Sequence, residues 1–149
     1  MTRWPGLATC IGLMVAVIAL GTLPAFAQSS DEVAINRRVD GLYQSIARRD
    51  VTSYMAALQT DAVRAIGTNV AVGRPAIEKV VTAALGAPGT PPRFTRHSTR
   101  LLSATTAIVH GVTDDPSTNR PTGHAIFTLV KEGNDWLIAA FQTASTPAP

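Results

Sequence analysis

The stretch 66-IGTNVAVGRPAIEKVVTAAL-85 marks the place where the hydrophobic pattern of the chain changes from strand to helix. Residues 62–66 alternate as a short strand does, residues 67–69 have turn chemistry, and residues 70–72 form a brief returning strand. Over residues 76–85, apolar side chains recur at helical spacing. The stretch therefore predicts a small hairpin followed at once by an amphipathic helix.

Two further helices are predicted before this hairpin. In residues 32–49, apolar side chains recur along one stripe of a helix. They are Ile35, Val39, Leu42 and Ile46. Ser29 and Glu32 match a capping box in front of this helix, and Asp50 is a suitable N-cap for a second, shorter one. The domain is thus predicted to open with two helices that meet at a tight corner.

After the hairpin and its helix, the chain has the pattern of a sheet. A linker, 86-GAPGTPP-92, is followed by segments that are each long enough for a strand and are joined by turn chemistry. They are residues 93–102, 104–113, 123–131 and 136–143. Helices followed by a run of strands predict an α+β fold, in which about three N-terminal helices cover one face of a curved antiparallel sheet.

The first residues predict an exported protein. Residues 1–27 have a basic start, an apolar run and an Ala-x-Ala ending, which is the pattern of a signal peptide cleaved before Gln28. An uncleaved membrane anchor is the alternative. The folded domain is expected over residues 28–143 and a disordered tail over 144–149, in the periplasm or outside the cell. We expect contact with a membrane only through the signal peptide before cleavage.

Composition excludes several kinds of chemistry. The only cysteine, Cys10, lies in the signal peptide, so the mature domain has no disulfide, thiol nucleophile or cysteine metal site. The chain carries 13 basic and 10 acidic residues, and the pairs Arg37-Arg38 and Arg48-Arg49 are interpreted as a solvated helix face, so no nucleic-acid partner is expected. No phosphate loop or dinucleotide fingerprint is present, and no cofactor is expected.

The order of elements resembles the nuclear-transport-factor-2-like, cone-shaped fold, and in particular its small SnoaL-like branch with the SgcJ/EcaC-type proteins. The resemblance covers nearly the whole mature chain. The residues that carry it are Asp50 at the second helix, Thr60-Asp61-Ala62-Val63 leading into the first strand, Gly73-Arg74-Pro75-Ala76-Ile77 at the start of the third helix, and 133-GNDWLIAAFQ-142 closing the sheet.

The resemblance implies an apolar pocket between the curved sheet and the first helices, and a homodimer formed through the open face of the sheet. Members of the fold isomerise, cyclise, dehydrate or only bind, so the fold alone does not choose an activity. It also implies that the Gly73-Arg74-Pro75 corner serves packing. An anion site at the start of this helix is the alternative.

Candidate catalytic residues are few. His110, His124 and Asp61 could carry a proton, although Asp61 is as well explained by a turn or cap role. The later strands have no carboxylate in their cores, which counts against a direct transfer of steroid isomerisation or ring closure. His97, His110 and His124 share no metal-binding spacing, so no metal site is expected.

Candidate pocket residues combine phenols, imidazoles, an amide and apolar walls. They are Tyr43, Tyr54, Met55, His110, His124, Trp136 and Gln142. Three functions remain open. The first is an exported binding protein for a small apolar molecule. The second is an acid–base enzyme acting on an apolar carbonyl compound, and the third is a dimeric interaction module without catalysis.

Overall fold

Helices cover one face of a six-stranded sheet in the computed structural model, which describes residues 29–118 and 120–145. The elements are α1 (Ser30–Arg48), α2 (Val51–Ala56), β1 (Leu58–Ile66), β2 (Asn69–Val72), α3 (Arg74–Gly86), β3 (Arg93–Leu101), β4 (Thr106–Asp115), β5 (Arg120–Glu132) and β6 (Asp135–Ser145). The predicted signal peptide and residues 146–149 lie outside the described residues. None of the described helices is long and apolar enough to span a membrane.

The predicted α+β order is confirmed, with differences at the boundaries. The second helix ends at Ala56, and β1 begins at Leu58, four residues earlier than the predicted strand of residues 62–66. Asp61 therefore lies inside this strand, exposed, rather than in front of it. At the other end, β6 continues to Ser145 and so includes the first two residues that were predicted as tail.

Side-chain caps fix the corner between the first two helices. The hydroxyl of Ser29 accepts a hydrogen bond from the amide of Glu32 at 3.1 Å, and the carboxylate of Asp50 accepts one from the amide of Ser53 at 3.0 Å. Between them, Arg49 ends α1 in the left-handed conformation, with φ of 57°. Both predicted caps are thus present, because each satisfies amides that a helix start leaves without a partner.

The sheet has the order β2-β1-β6-β5-β4-β3. All neighbouring strands are antiparallel except β1 and β6, which run parallel, so the expected antiparallel sheet has one parallel pair. In the sequence, β1 and β6 are separated by all the elements from β2 to β5, so no hairpin connects them. The last strand of the chain therefore lies in the interior of the sheet.

One face of the sheet packs against the helices. Along β4 and β5, every second side chain is buried, and the apolar stripe of α1 covers them. The central buried side chains include Val109, Phe127, Leu129, Ile138 and Trp136. Register shifts in the pairings of β3, β4, β5 and β6 bend the sheet around this core, as bulges do. No described element covers the opposite face of the sheet, which we call the uncovered face.

The Gly73-Arg74 corner serves packing. Gly73 has φ of 78°, a conformation that glycine adopts easily, and its amide donates to the carbonyl of Ala62 at 2.8 Å. The guanidinium of Arg74 donates to the carbonyl of Leu58 at 3.3 Å. Since α3 begins at Arg74, Pro75 occupies its second position, where a missing amide hydrogen leaves no intrahelical bond unmade.

A carboxylate joins α1 to the end of the sheet. Asp31 Oδ1 accepts hydrogen bonds from Lys131 Nζ at 2.7 Å and from Trp136 Nε1 at 3.0 Å. The bonds from Lys131 and Trp136 lower the pKa of Asp31 below its ordinary value. Because the folded state then favours the ionised carboxylate, this contribution to stability is present above the unfolded pKa and is lost as the pH falls through the folded pKa.

Replacing Asp31 with asparagine is expected to lower the free energy of unfolding at pH 7. The difference from the wild type should shrink as the pH falls below about 4, where the unfolded carboxylate takes up its proton. Urea denaturation at pH 7, 5 and 3 measures it. Asp61→Asn is the control, because Asp61 makes no hydrogen bond or ion pair with the described residues. An equal loss of unfolding free energy at all three pH values would show that the ionised carboxylate of Asp31 does not provide this stability.

Candidate functional site

A cavity of about 370 Å³ lies between the inner face of the sheet, the three helices and the segment 87–92. Its walls are mostly apolar and include Ile46, Ile66, Val81, Leu85 and Phe141. The volume falls in the range of small-molecule sites, and such sites combine apolar walls with a few polar groups. The arrangement can enclose the apolar body of a small ligand.

Two tyrosines supply phenols to the cavity. Tyr43 comes from α1 and stacks on Phe94 with ring centroids 4.8 Å apart, and Tyr54 comes from α2 and is almost fully buried. Burial raises the pKa of Tyr43, and the nearby Tyr54 adds to the effect. Burial also raises the pKa of Tyr54, although the charge of Arg64 and a hydrogen bond from it act in the opposite direction. Both phenols are therefore protonated at neutral pH and can donate hydrogen bonds.

Arg49 fixes the segment that forms one wall. Its guanidinium donates to the carbonyls of Leu85, Ala87 and Gly89 at 2.9, 2.9 and 3.1 Å. The sequence suggested only a solvated helix face for the Arg48-Arg49 pair. Arg49 instead holds the end of α3 and the following linker against the corner of α1 and α2. The contact joins residues 36 to 40 positions apart, so no local pattern could have revealed it.

Arg64 brings a second cation to the cavity. It lies on β1 with its side chain half-buried, on the inner face beside Phe141 of β6. Its Nε atom is buried and has no hydrogen-bond partner among the described residues. Sequence reasoning missed this residue, although a signal existed. Alternation in β1 puts Arg64 on the same face as Ala62 and Ile66, and an arginine on a buried face is unusual.

The sequence matches no family model and no curated protein, whereas the structure has many counterparts. A ketosteroid isomerase-like protein from Erwinia carotovora atroseptica SCRI1043 is 19% identical with a TM-score of 0.69, over 80% of this chain and 99% of that one. A protein of unknown function from Shewanella oneidensis MR-1, described as nuclear-transport-factor-2-like, is 17% identical with a TM-score of 0.65, over 76% and 98%.

The chain has the nuclear-transport-factor-2-like fold. A scytalone dehydratase-like protein from Novosphingobium aromaticivorans DSM 12444 shares it at 18% identity and a TM-score of 0.65, over 78% of this chain and 85% of that one. The predicted fold is thus confirmed. Membership of its SnoaL-like branch stays a prediction, because likeness at this level of identity concerns the fold alone.

Within this nuclear-transport-factor-2-like cone, the predicted pocket residues fall into three places. Tyr43 and Tyr54 line the cavity. Met55 and Trp136 are buried elsewhere in the core, and the indole of Trp136 is held by Asp31 at the other end of the domain. Gln142, His110 and His124 lie on the uncovered face of the sheet, and Asp61 is exposed on β1. Among the described residues that line the cavity there is no carboxylate or imidazole.

The histidines gather on the uncovered face instead. His110 Nε2 lies 3.3 Å from His124 Nδ1, and their rings stack with centroids 5.5 Å apart. His97 meets His110 edge to face at 5.6 Å. On this face, His110 is a neighbour of Ile108 along β4, and His124 is a neighbour of Ile126 along β5. The described residues contain no group of three or more His, Cys, Asp or Glu side chains that could hold a metal ion.

Proposed function

We propose that the protein binds a small apolar molecule in the cavity of its cone. The observation that carries the proposal is a space of about 370 Å³ with apolar walls and two protonated phenols. Binding needs only these walls and donors. An acid–base step also needs a proton carrier beside the ligand, and the candidates His110 and His124 face away from the cavity.

The proposal also includes export, which the sequence supports, and a homodimer, which the exposed surface of the sheet supports. The signal-peptide pattern of residues 1–27 supports export to the periplasm or beyond the cell. Apolar side chains on the uncovered sheet face support a homodimer formed through that face, because contiguous exposed apolar surface marks a site of association. They are Val63, Val70, Val72 and Ile126, with 36%, 64%, 61% and 44% of their surface exposed. The SnoaL-like branch is the family assignment that best fits these features.

Ligand binding is expected to raise the melting temperature. A compound at one hundred times its Kd stabilises the folded state by about 2.7 kcal/mol, which corresponds to several degrees. Thr143→Phe should abolish the shift, because Thr143 lines the cavity and a larger side chain would fill it. The probes are 1-decanol and 2-naphthol, followed by a broad set of apolar compounds, with thermal unfolding as the measurement.

The matched control is Thr95→Phe, the same exchange at an exposed position on the other face of the sheet. It should leave the ligand-induced shift unchanged. If no compound in the set raises the melting temperature of the wild type, the binding proposal fails and the interaction module becomes the better account.

A further inference from the structure

The cavity contains a cation that no carboxylate neutralises. Among the described residues, the ion pairs are Arg38 with Asp135, Arg96 with Asp40, and Lys131 with Asp31. Arg64 takes part in none of them. Its guanidinium hydrogen-bonds to the phenol of Tyr54, which is neutral at physiological pH.

Among the described residues, two buried Nε atoms lack a hydrogen-bond partner, that of Arg64 and that of Arg96, and their surroundings differ. Arg96 Nε is also buried without a partner, but the same guanidinium pairs with Asp40 and donates to the carbonyl of Asn36 at 3.3 Å. The charge of Arg96 is therefore compensated within the protein. The charge of Arg64 is not, and its unsatisfied Nε–H belongs to a side chain that lines the cavity.

An uncompensated cation in apolar surroundings is costly unless an anion or several acceptors meet it. Burial removes water from Arg64 Nε, for which no described residue supplies an acceptor, and the hydrogen bond of Arg64 to the phenol of Tyr54 does not neutralise the charge of the guanidinium. Arg49, the other cation on the lining, already donates to three backbone carbonyls. Of the two arginines on the described lining, Arg64 is therefore the one that keeps an unused buried donor, with a phenol bonded to it and apolar walls around it.

The chemistry of this group selects the ligand. A guanidinium presents parallel N–H donors that match the two oxygens of a carboxylate, and charge-assisted bonds of this kind are roughly twice as strong as neutral ones. The phenol of Tyr54 can donate to the same carboxylate. A doubly charged phosphate would require a second free cation, whereas Arg49 is occupied.

We propose that the cavity binds an apolar monocarboxylic acid, with its carboxylate on Arg64 and Tyr54 and its apolar body against Val81, Leu85 and Phe141. This inference rests on the proposed function and narrows it from an apolar molecule to an apolar anion. It also gives Arg64 a role that a packing residue would not have, because its charge then matters for one class of ligand and not for another.

The test compares acids with alcohols of the same carbon skeleton. The probes are decanoate against 1-decanol and 2-naphthoate against 2-naphthol, with Kd measured by calorimetry at pH 7.5, where carboxylic acids are ionised. The wild type is expected to bind each acid at least about tenfold more tightly than its partner alcohol. Arg64→Met should remove this preference while leaving the Kd of the alcohols within about threefold, because the apolar contacts persist.

Arg64→Lys is the matched variant that keeps the charge but loses the parallel donors, and it should retain part of the preference. The melting temperature of ligand-free Arg64→Met should equal or exceed that of the wild type, because an uncompensated charge has been removed. If Arg64→Met does not fold, the Arg64→Lys comparison and the acid-to-alcohol ratio of the wild type still decide the question.

The outcomes separate the two proposals. Equal binding of acids and alcohols by the wild type would support the apolar cavity and overturn the carboxylate site. An equal loss of acid and alcohol binding in Arg64→Met would also overturn it, since Arg64 would then be structural. Tighter binding of decyl phosphate than of decanoate would overturn the carboxylate assignment, because Arg64 would then be suited to an organic phosphate. If no probe binds and the broad apolar set fails as well, both proposals fall.

Discussion

Replacing Gly111 with alanine is expected to destabilise the protein by about 3 kcal/mol, a large share of the roughly 5–15 kcal/mol by which a typical domain is stable. Gly111 is buried on the inner face of β4. An added Cβ would press against the carbonyl oxygen of Thr95 and lie 2.5 Å from Cε2 of Phe94. Neither neighbour can yield cheaply. Thr95 belongs to the ladder of β3, and the ring of Phe94 is held between Tyr43 and Phe127.

The matched control is Gly41→Ala in the interior of α1. Apart from the adjoining backbone of α1 itself, a Cβ at Gly41 would meet no described atom within 4 Å, and alanine is the better helix former by about 0.8–1.0 kcal/mol. The same exchange should therefore stabilise the protein at one glycine and destabilise it at the other. Urea denaturation of both variants measures the contrast. A loss of less than 1 kcal/mol for Gly111→Ala would show that β3 can move away from β4.

Ile126→Asp is expected to raise the dissociation constant of the proposed homodimer by at least about 100-fold. Ile126 lies on the uncovered sheet face beside His110, 44% exposed in the single chain. In a dimer formed through this face, two carboxylates related by symmetry would be buried without partners, which costs several kcal/mol. Each 1.4 kcal/mol corresponds to a tenfold change in the constant. Sedimentation velocity over a range of concentrations measures it.

Val33→Asp is the control for this change. Val33 is 40% exposed but lies on α1, away from the sheet face, so its replacement should leave the dimer intact. Thermal unfolding must show that both variants are folded. A monomeric wild type at 100 µM, or a dimer that survives Ile126→Asp, would remove the uncovered face as the site of association.

Much of the fold could be predicted because its helices and caps are local. The stripe of α1 and the caps at Ser29 and Asp50 depend on residues within a few positions of one another. The place of β6 could not be predicted in the same way. Its pairing with β1 joins residues that are far apart in the sequence, such as Leu58 and Ile138. No pattern within either segment indicates that the other one is its neighbour in the sheet.

The site was harder to predict, because alternation defines two faces of a strand without saying which one meets the helices. In β4, one face carries Ala107, Val109 and Gly111, and the other carries Ile108 and His110. Both sets are apolar enough to pack. The face with the smaller side chains is the buried one, because the helices and the ring of Phe94 approach it closely. Alternation therefore shows which residues share a face with His110, but it does not show that this face points away from the cavity.

The position of β6 has a consequence for the order in which the protein can form. Residues 135–145 are the last to be synthesised among those described, yet they supply the strand that joins β1 and β2 to the rest of the sheet. Until β6 is present, the strand edges of β1 and β5 that pair with it have no hydrogen-bond partner, and the sheet is divided into two parts at this position. The domain therefore cannot complete its core progressively from its N-terminus, and the sheet closes only once residues 135–145 are available to pair with both β1 and β5.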